Sequence, residues 1–426
     1  MSERTLQEKG FVSYLPIVIT CVIFAFVPAA MQASCMGIFY PAMVEDYGVP
    51  TSTLTLYLTV GGLILAIWAP ILGKIMVSVD VRIIASAMTL WAAGCFALLS
   101  VVQTFVQVFI VSALLVPVAV TYLSIVAPTL INRWFKDRAG AIIGFVAAFT
   151  GIGGVVFIQV GNAIMEASGY RTAFLVYAVI ILIACLPFTI FAIRNRPEDR
   201  GMLPYVSPKS AKAGASEAVA KKDWTVNVKA AFRSPAFWLV ALCGGFANMT
   251  VLLARFYPTY VNELQAAGVA VIITGATLAT IVSAGQAVCK FVVGAGSDFD
   301  PVKTIMIACG LGAVGILCIW FGPTSFIMPM GGFIFGFFYA STSVIMPILG
   351  GAVFGTGKNF SVIYGRSVAV TSIFALPGGF MWPLIAETFG GYEAAFALAV
   401  CMIVVFAIMA YAAIKLGKKI PRDEVA

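Results

Sequence analysis

Apolar residues recur along this chain in runs of about 20, each closed off by charged, polar or glycine residues, and a helix of that length crosses roughly 30 Å of hydrocarbon. Twelve such runs are read as membrane-spanning helices: 11–40, 54–76, 83–102, 105–130, 139–165 and 172–193, then 235–260, 268–294, 304–321, 325–349, 360–385 and 394–414. The first has the core of a signal peptide over 11–27 but continues to 40, and it is read as a span. One polar stretch divides the set. It opens with RNRPEDRG at 194 and continues as a Ser/Ala/Lys-rich linker over 207–220, and 224–232 is patterned as a short interfacial helix. The domains expected are a six-helix bundle over 1–193, a cytoplasmic linker loop over 194–233 and a second six-helix bundle over 234–426.

Landmarks repeat between the two sets at one offset. Gly73-Lys74 at the end of span 2 matches Gly294-Ala295 at the end of span 8, a shift of 221. Phe135 and Gly144 correspond to Phe354 and Gly365, a shift of 219 to 221, and Gly169-Tyr170 before span 6 corresponds to Gly391-Tyr392 before span 12, a shift of 222. Six spans is an even number, so the halves run parallel, and the expected fold is an all-α integral membrane protein of two six-helix repeats around a central cavity.

Composition agrees with this pattern: 61% of the 426 residues are hydrophobic and 10% charged, against the roughly 45 to 50% apolar of soluble domains. The net charge of +8 is mostly topology, because 22 of the 26 Lys and Arg fall in the tails and the loops after even-numbered spans. Both termini are therefore expected in the cytoplasm of a cell-membrane protein. No nucleic-acid partner is needed to explain the charge. The nine cysteines form no CxxC, and histidine is absent, which disfavours metal sites and most catalysis; neither enzymatic activity nor a cofactor is expected.

Several motifs carry a family resemblance over the whole chain. Gly294-Ala295-Gly296-Ser297-Asp298 with Lys303 resembles the loop 8–9 signature of the major facilitator superfamily, a glycine turn with an acid that latches neighbouring helices. Its first-half counterpart is degraded, with Val77 in the acid's place. Asn132-Arg133-Trp134-Phe135 with Arg138, Gly140 and Gly144, together with Arg196-Pro197-Glu198-Asp199 and Ser234-Pro235-Ala236-Phe237-Trp238, resembles the oxalate/formate antiporter and monocarboxylate porter branch. That resemblance implies a twelve-helix transporter, with Gly294, Asp298, Lys303, Gly73, Arg133 and Arg138 as loop and gating residues.

Four basic residues lie away from the inner loops: Arg171 and Arg255 on the outer side, and Lys290 and Arg366 within spans. A cation near the middle of a bilayer costs roughly 2.5 to 3.5 kcal/mol on insertion scales, so it is paired or functional. Lys290 and Arg366 both sit about 10 to 12 Å in from the inner ends of their helices. None of the eighteen carboxylates falls mid-span, so the partner expected for these cations is an external anion, a small organic carboxylate. The antiporter branch likewise carries basic residues in spans 8 and 11, but as Arg and Lys, the reverse of Lys290 and Arg366. The exchange re-aims the ligand, since arginine grips a carboxylate with a planar fork and lysine acts as a point charge.

Gln286, one turn before Lys290, and Tyr364, beside Arg366, join the candidate substrate site, with Tyr339, Tyr122 and Gln32 from spans 10, 4 and 1. The bland alternatives are that Lys290 snorkels to the inner interface and that the tyrosines are packing residues. Arg255, some 20 residues into span 7, is read as an outer-surface anchor or an entrance for anions. Gly140, Gly144, Gly151, Gly153 and Gly154 are read as close-packing positions, and Gly365, Pro377, Gly378 and Gly379 as a place for span 11 to bend.

The function expected is secondary transport of mono- or dicarboxylates by alternating access, as exchange. The alternatives are a proton-linked monocarboxylate symporter, an efflux carrier for amphipathic anions or drugs, and a non-transporting sensor. The partners expected are the carboxylate and the lipid bilayer, with the chain acting as a monomer.

Overall fold

The computed structural model describes residues 10–135, 139–206, 224–297, 300–355 and 359–423. Among these, eleven helices are long and apolar enough to cross a membrane: Phe11–Tyr47, Thr51–Met76, Val81–Val101, Phe105–Trp134, Ala139–Ser168, Tyr170–Ala192, Pro235–Ala266, Gly275–Val293, Pro301–Phe321, Val362–Phe389 and Glu393–Gly417. A twelfth span is a pair, Ile327–Thr342 and Ile345–Phe354, bent by 43° at a short break. These are spans 1 to 12 in chain order, the bent pair being span 10. Apart from a two-residue ladder, Thr225–Val226 against Arg422–Asp423, the described chain is helical or in connections.

Two ends depart from the hydropathy reading for identifiable reasons. Span 7 runs past Tyr260 to Ala266, through a stretch that mixes Asn262 and Glu263 with apolar residues. It stops at Gly268, whose φ of +79° turns the chain while Val269 N–H closes back on the Leu264 carbonyl at 2.9 Å. The apolar run after it is a connector, so span 8 starts at Gly275 instead of 268. Hydropathy alone does not separate an apolar connector from a helix.

The described chain divides into two compact units, Met1–Ala33 with Ile67–Lys221, and Ser34–Ala66 with Lys222–Ala426. In the first unit, Gly153 lets span 5 approach span 1 backbone to backbone, because a methyl group there would collide with the Phe26 carbonyl oxygen. Gly140, Gly144 and Gly365 do not serve such contacts: nothing lies within 4 Å of where their side chains would begin. In the second unit, Gly336 of span 10 rests on Gly285-Gln286 of span 8, where a methyl group would lie 2.2 Å from the Gly285 carbonyl carbon.

Residues 34–66 are tied into the second unit by polar contacts. Ser52 N–H donates to Glu387 Oε1 at 2.9 Å, and Thr59 Oγ1 donates to the Leu376 carbonyl at 2.8 Å. Leu376 precedes Pro377, where the helix Phe360–Ala375 gives way to Gly378–Phe389. The helical hydrogen bonding is interrupted at the proline, and Thr59 satisfies a carbonyl beside the interruption.

Candidate functional site

The candidate site begins on one face of the helix Gly275–Ser297. Ser283, Gln286 and Lys290 follow one another at intervals of three and four, which stacks them along one side, and all three are buried. Lys290 is only 6% exposed. Span 10 is seated on this helix at Gly285-Gln286, and Tyr339, half-buried, lies one turn beyond Gly336.

Arg255 is not at an outer surface. Span 7 continues eleven residues past it, and a 3₁₀ segment, Leu253–Phe256, separates the helices Pro235–Leu252 and Tyr257–Ala266. Pro258 accounts for that break, because its ring denies an α-helical hydrogen bond to the carbonyl of Ala254. Arg255 therefore sits at a discontinuity inside the unit, 9% exposed. Gly37 packs so closely that a methyl group there would strike the Arg255 carbonyl oxygen, which brings Tyr40 alongside. The hydroxyls of Tyr40 and Tyr57 are 2.7 Å apart, and both are hydrogen-bonded to the Arg255 guanidinium. Tyr339 is a further close electrostatic neighbour of Arg255, and of Tyr257 as well. Arg255 Nη1 and the Tyr257 hydroxyl are buried and have no hydrogen-bond partner among the described residues.

Burial thus sorts the cations differently from the sequence. Lys290 and Arg255 are buried, whereas Arg366 is exposed and its guanidinium lies 4.8 Å from the centre of the Phe232 ring. Phe232 belongs to the short helix Val228–Arg233, close to the interfacial helix expected there. Tyr364 stacks on Phe360, with ring centres 5.3 Å apart, and packs over Gly350. In the first unit, Tyr122 is a core side chain: its ring lies against Phe24 and its hydroxyl is 3.0 Å from Thr89 Oγ1. Gln32 is buried in that unit too.

The loop residues also find their places. Gly73 and Gly294 are not turn glycines but lie within the helices Thr51–Ser78 and Gly275–Ser297; Asp298 and Arg138 fall outside the described residues. The capping acids are Asp80 and Asp300, which start spans 3 and 9. Asp80 accepts from Arg82 N–H at 2.9 Å, and Asp300 accepts from Val302 and Lys303 N–H at 3.0 and 3.1 Å. They are 220 residues apart, within the repeat offset, so the two halves share a helix-capping acid at corresponding positions. Hydrogen bonding from the Arg82 side chain holds the Asp80 carboxyl below its usual range, and the Lys303 backbone N–H does the same for Asp300. Lys303 Nζ pairs with Asp300 at 3.4 Å. Arg133 donates to the Met76 carbonyl at 2.7 Å and to Asn195, so the end of span 4 holds the end of span 2 and the RNRPEDRG turn together. Among the described residues no cluster of three His, Cys, Asp or Glu is placed to hold a metal.

A family model described as Major Facilitator Superfamily matches residues 22–282. Among curated proteins, an oxalate:formate antiporter from Oxalobacter formigenes is 25% identical over 302 residues, covering 68% of this chain and 66% of that protein. A fujikurins efflux protein from Gibberella fujikuroi is 27% identical over 244 residues, covering 56% of this chain and 47% of that protein. The chain therefore spans about two thirds and about half of the length of these relatives. Two solved structures of a bacterial homologue of the human lysosomal transporter Spinster share the fold at 13% identity. The inward-facing, unoccupied form has a TM-score of 0.64 and covers 96% of this chain and 97% of its own, and the inward-facing, occupied form has a TM-score of 0.59 and covers 97% of each.

Proposed function

We propose that this chain, which belongs to the Major Facilitator Superfamily of membrane transporters, carries small organic carboxylates across a cell membrane by alternating access, as an exchanger with both termini in the cytoplasm. The observation that carries this reading is Lys290, a lysine 6% exposed on a buried polar face with Gln286 and Ser283, in a chain whose spans hold no carboxylate at mid-depth. Burying an ammonium costs several kcal/mol even after relaxation, and an incoming carboxylate offsets that cost. Lys290 is assigned the carboxylate and Gln286 a hydrogen bond to it. Arg366, exposed, draws the anion in and does not hold it. The likeness to an oxalate:formate antiporter supports both the substrate class and exchange.

Exchange follows from the same cost. A carrier that returns empty carries its buried ammonium without the further pairing that a substrate carboxylate adds, so the loaded return is faster. The test is counterflow: proteoliposomes loaded with unlabelled carboxylate, drawn from a panel running from formate and oxalate to glutarate, are given the labelled compound outside. Uptake well above that of liposomes lacking internal substrate is expected for at least one member. Equal uptake with and without internal substrate removes exchange, and no uptake of any member removes the carboxylate assignment.

A further inference from the structure

We infer that Arg255, held by Tyr40 and Tyr57 and faced by Tyr339, is a second carboxylate-binding subsite, which takes the far carboxylate of a dicarboxylate whose near one is at Lys290. This rests on the proposed function and adds to it a preference for two-carboxylate substrates.

Arg255 is more than nine-tenths buried, and no carboxylate pairs with it among the described residues. Its neighbours are phenols, which accept from part of the guanidinium and leave Nη1 without a partner. A guanidinium has five donors in a fixed fork that matches a carboxylate, and burying one with a donor unspent is unfavourable until such an acceptor arrives. The unpartnered Tyr257 hydroxyl, which shares Tyr339 as a neighbour, offers a further donor to the same ligand.

The register of the helices brings the two cations within reach of one small molecule. Gly275 packs against Pro258, where a methyl group would lie 2.6 Å from Pro258 Cα, so these residues share a level. Measured inward from there, Arg255 lies three residues away and Lys290 fifteen, which separates their backbones by about 18 Å in depth. Side chains of a helix tilt toward its N-terminus, and consecutive spans 7 and 8 run in opposite directions, so the two long side chains lean toward each other and leave a gap in depth on the order of 7 Å. Tyr339 comes from span 10, which is registered to span 8 at Gly285-Gln286, one turn from Lys290, and its hydroxyl end neighbours Arg255. Tyr339 thus faces Arg255 from a helix seated on the one that carries Lys290.

The test is equilibrium binding to the purified full-length chain, followed by thermal shift and calorimetry, with oxalate, malonate, succinate and glutarate against formate, acetate, propionate and butyrate. In the wild type the best dicarboxylate is expected to bind at least about tenfold more tightly than the monocarboxylate of equal carbon number. Arg255→Gln should erase that preference, while Lys290→Gln should weaken both series about tenfold or more. Should Arg255→Gln not fold, Arg255→Lys keeps the charge and loses the fork, and it should weaken dicarboxylates alone, by about fivefold. A dicarboxylate preference unchanged in the Arg255 variants overturns the subsite, even where the variants melt earlier, since a purely structural latch would do only that. Binding of neither series to the wild type overturns the proposed function itself.

Discussion

Gly336→Ala is the substitution whose cost follows most directly from the packing around the site. The new methyl group would lie 2.2 Å from the Gly285 carbonyl carbon and 2.6 Å from both the Gly285 oxygen and the Gln286 nitrogen. Carbon atoms rest at about 3.5 Å or more, so spans 8 and 10 must part by about 1 Å, and the atoms in the way are backbone, which has no rotamer to escape into. Overpacking of this kind costs about 1 to 3 kcal/mol, or about 2 to 12 °C in melting temperature for a domain of 150 to 250 residues. The same movement shifts Gln286, and Lys290 one turn on, away from span 10, so transport should fall in protein that still folds. Gly310→Ala is the control: nothing lies within 4 Å of its position, and alanine favours the helix. Thermal unfolding in detergent, read by tryptophan fluorescence and paired with uptake, checks both. A Gly336→Ala protein as stable and as active as Gly310→Ala would refute the close contact and the site geometry built on it.

Two further variants probe the supports of the site. Asp80→Ala removes the cap of span 3 and should cost about 1 kcal/mol at pH 7. Because Arg82 holds the Asp80 carboxyl below its ordinary value, that stabilisation is complete above the unfolded pKa of about 3.9 and is lost as pH falls through the lower folded value. The difference in melting temperature between wild type and variant should therefore be full at pH 7 and shrink below about pH 4; a difference unchanged in acid contradicts the carboxylate cap. Thr59→Val leaves the Leu376 carbonyl at the span 11 break without its donor and should destabilise by about 1 kcal/mol, while Thr59→Ser should not. Equal melting of the two variants removes the hydroxyl from the account.

The spans were legible because a bilayer demands about 20 apolar residues per crossing, and that demand is written locally. The bend of span 10 and the late start of span 8 were not, since Gly268 and the apolar connector after it have the same hydropathy as helix. Lys290 stood out as a cation in a long apolar run. Arg255, some 20 residues into span 7, reads as an outer-surface residue only for a span that ends at Tyr260, whereas the helix runs on to Ala266. Its burial also depends on Tyr40 and Tyr57, about 200 residues earlier, and no spacing along the chain announces that approach. Tyr122 looked polar in sequence, but Thr89 takes its hydroxyl into the core of the first unit. Arg366 has the same expected depth as Lys290, yet it is exposed over Phe232.

In the proposed mechanism a substrate carboxylate binds the buried ammonium of Lys290. Counterflow of labelled oxalate, malonate or succinate into proteoliposomes, compared between wild type and Lys290→Gln reconstituted at equal density, tests it most directly. Rapid exchange is expected in the wild type and at least a tenfold lower rate in Lys290→Gln, by analogy with the loss of one buried charge-assisted contact of about 1.5 to 3 kcal/mol. Exchange at the wild-type rate in the variant would contradict it.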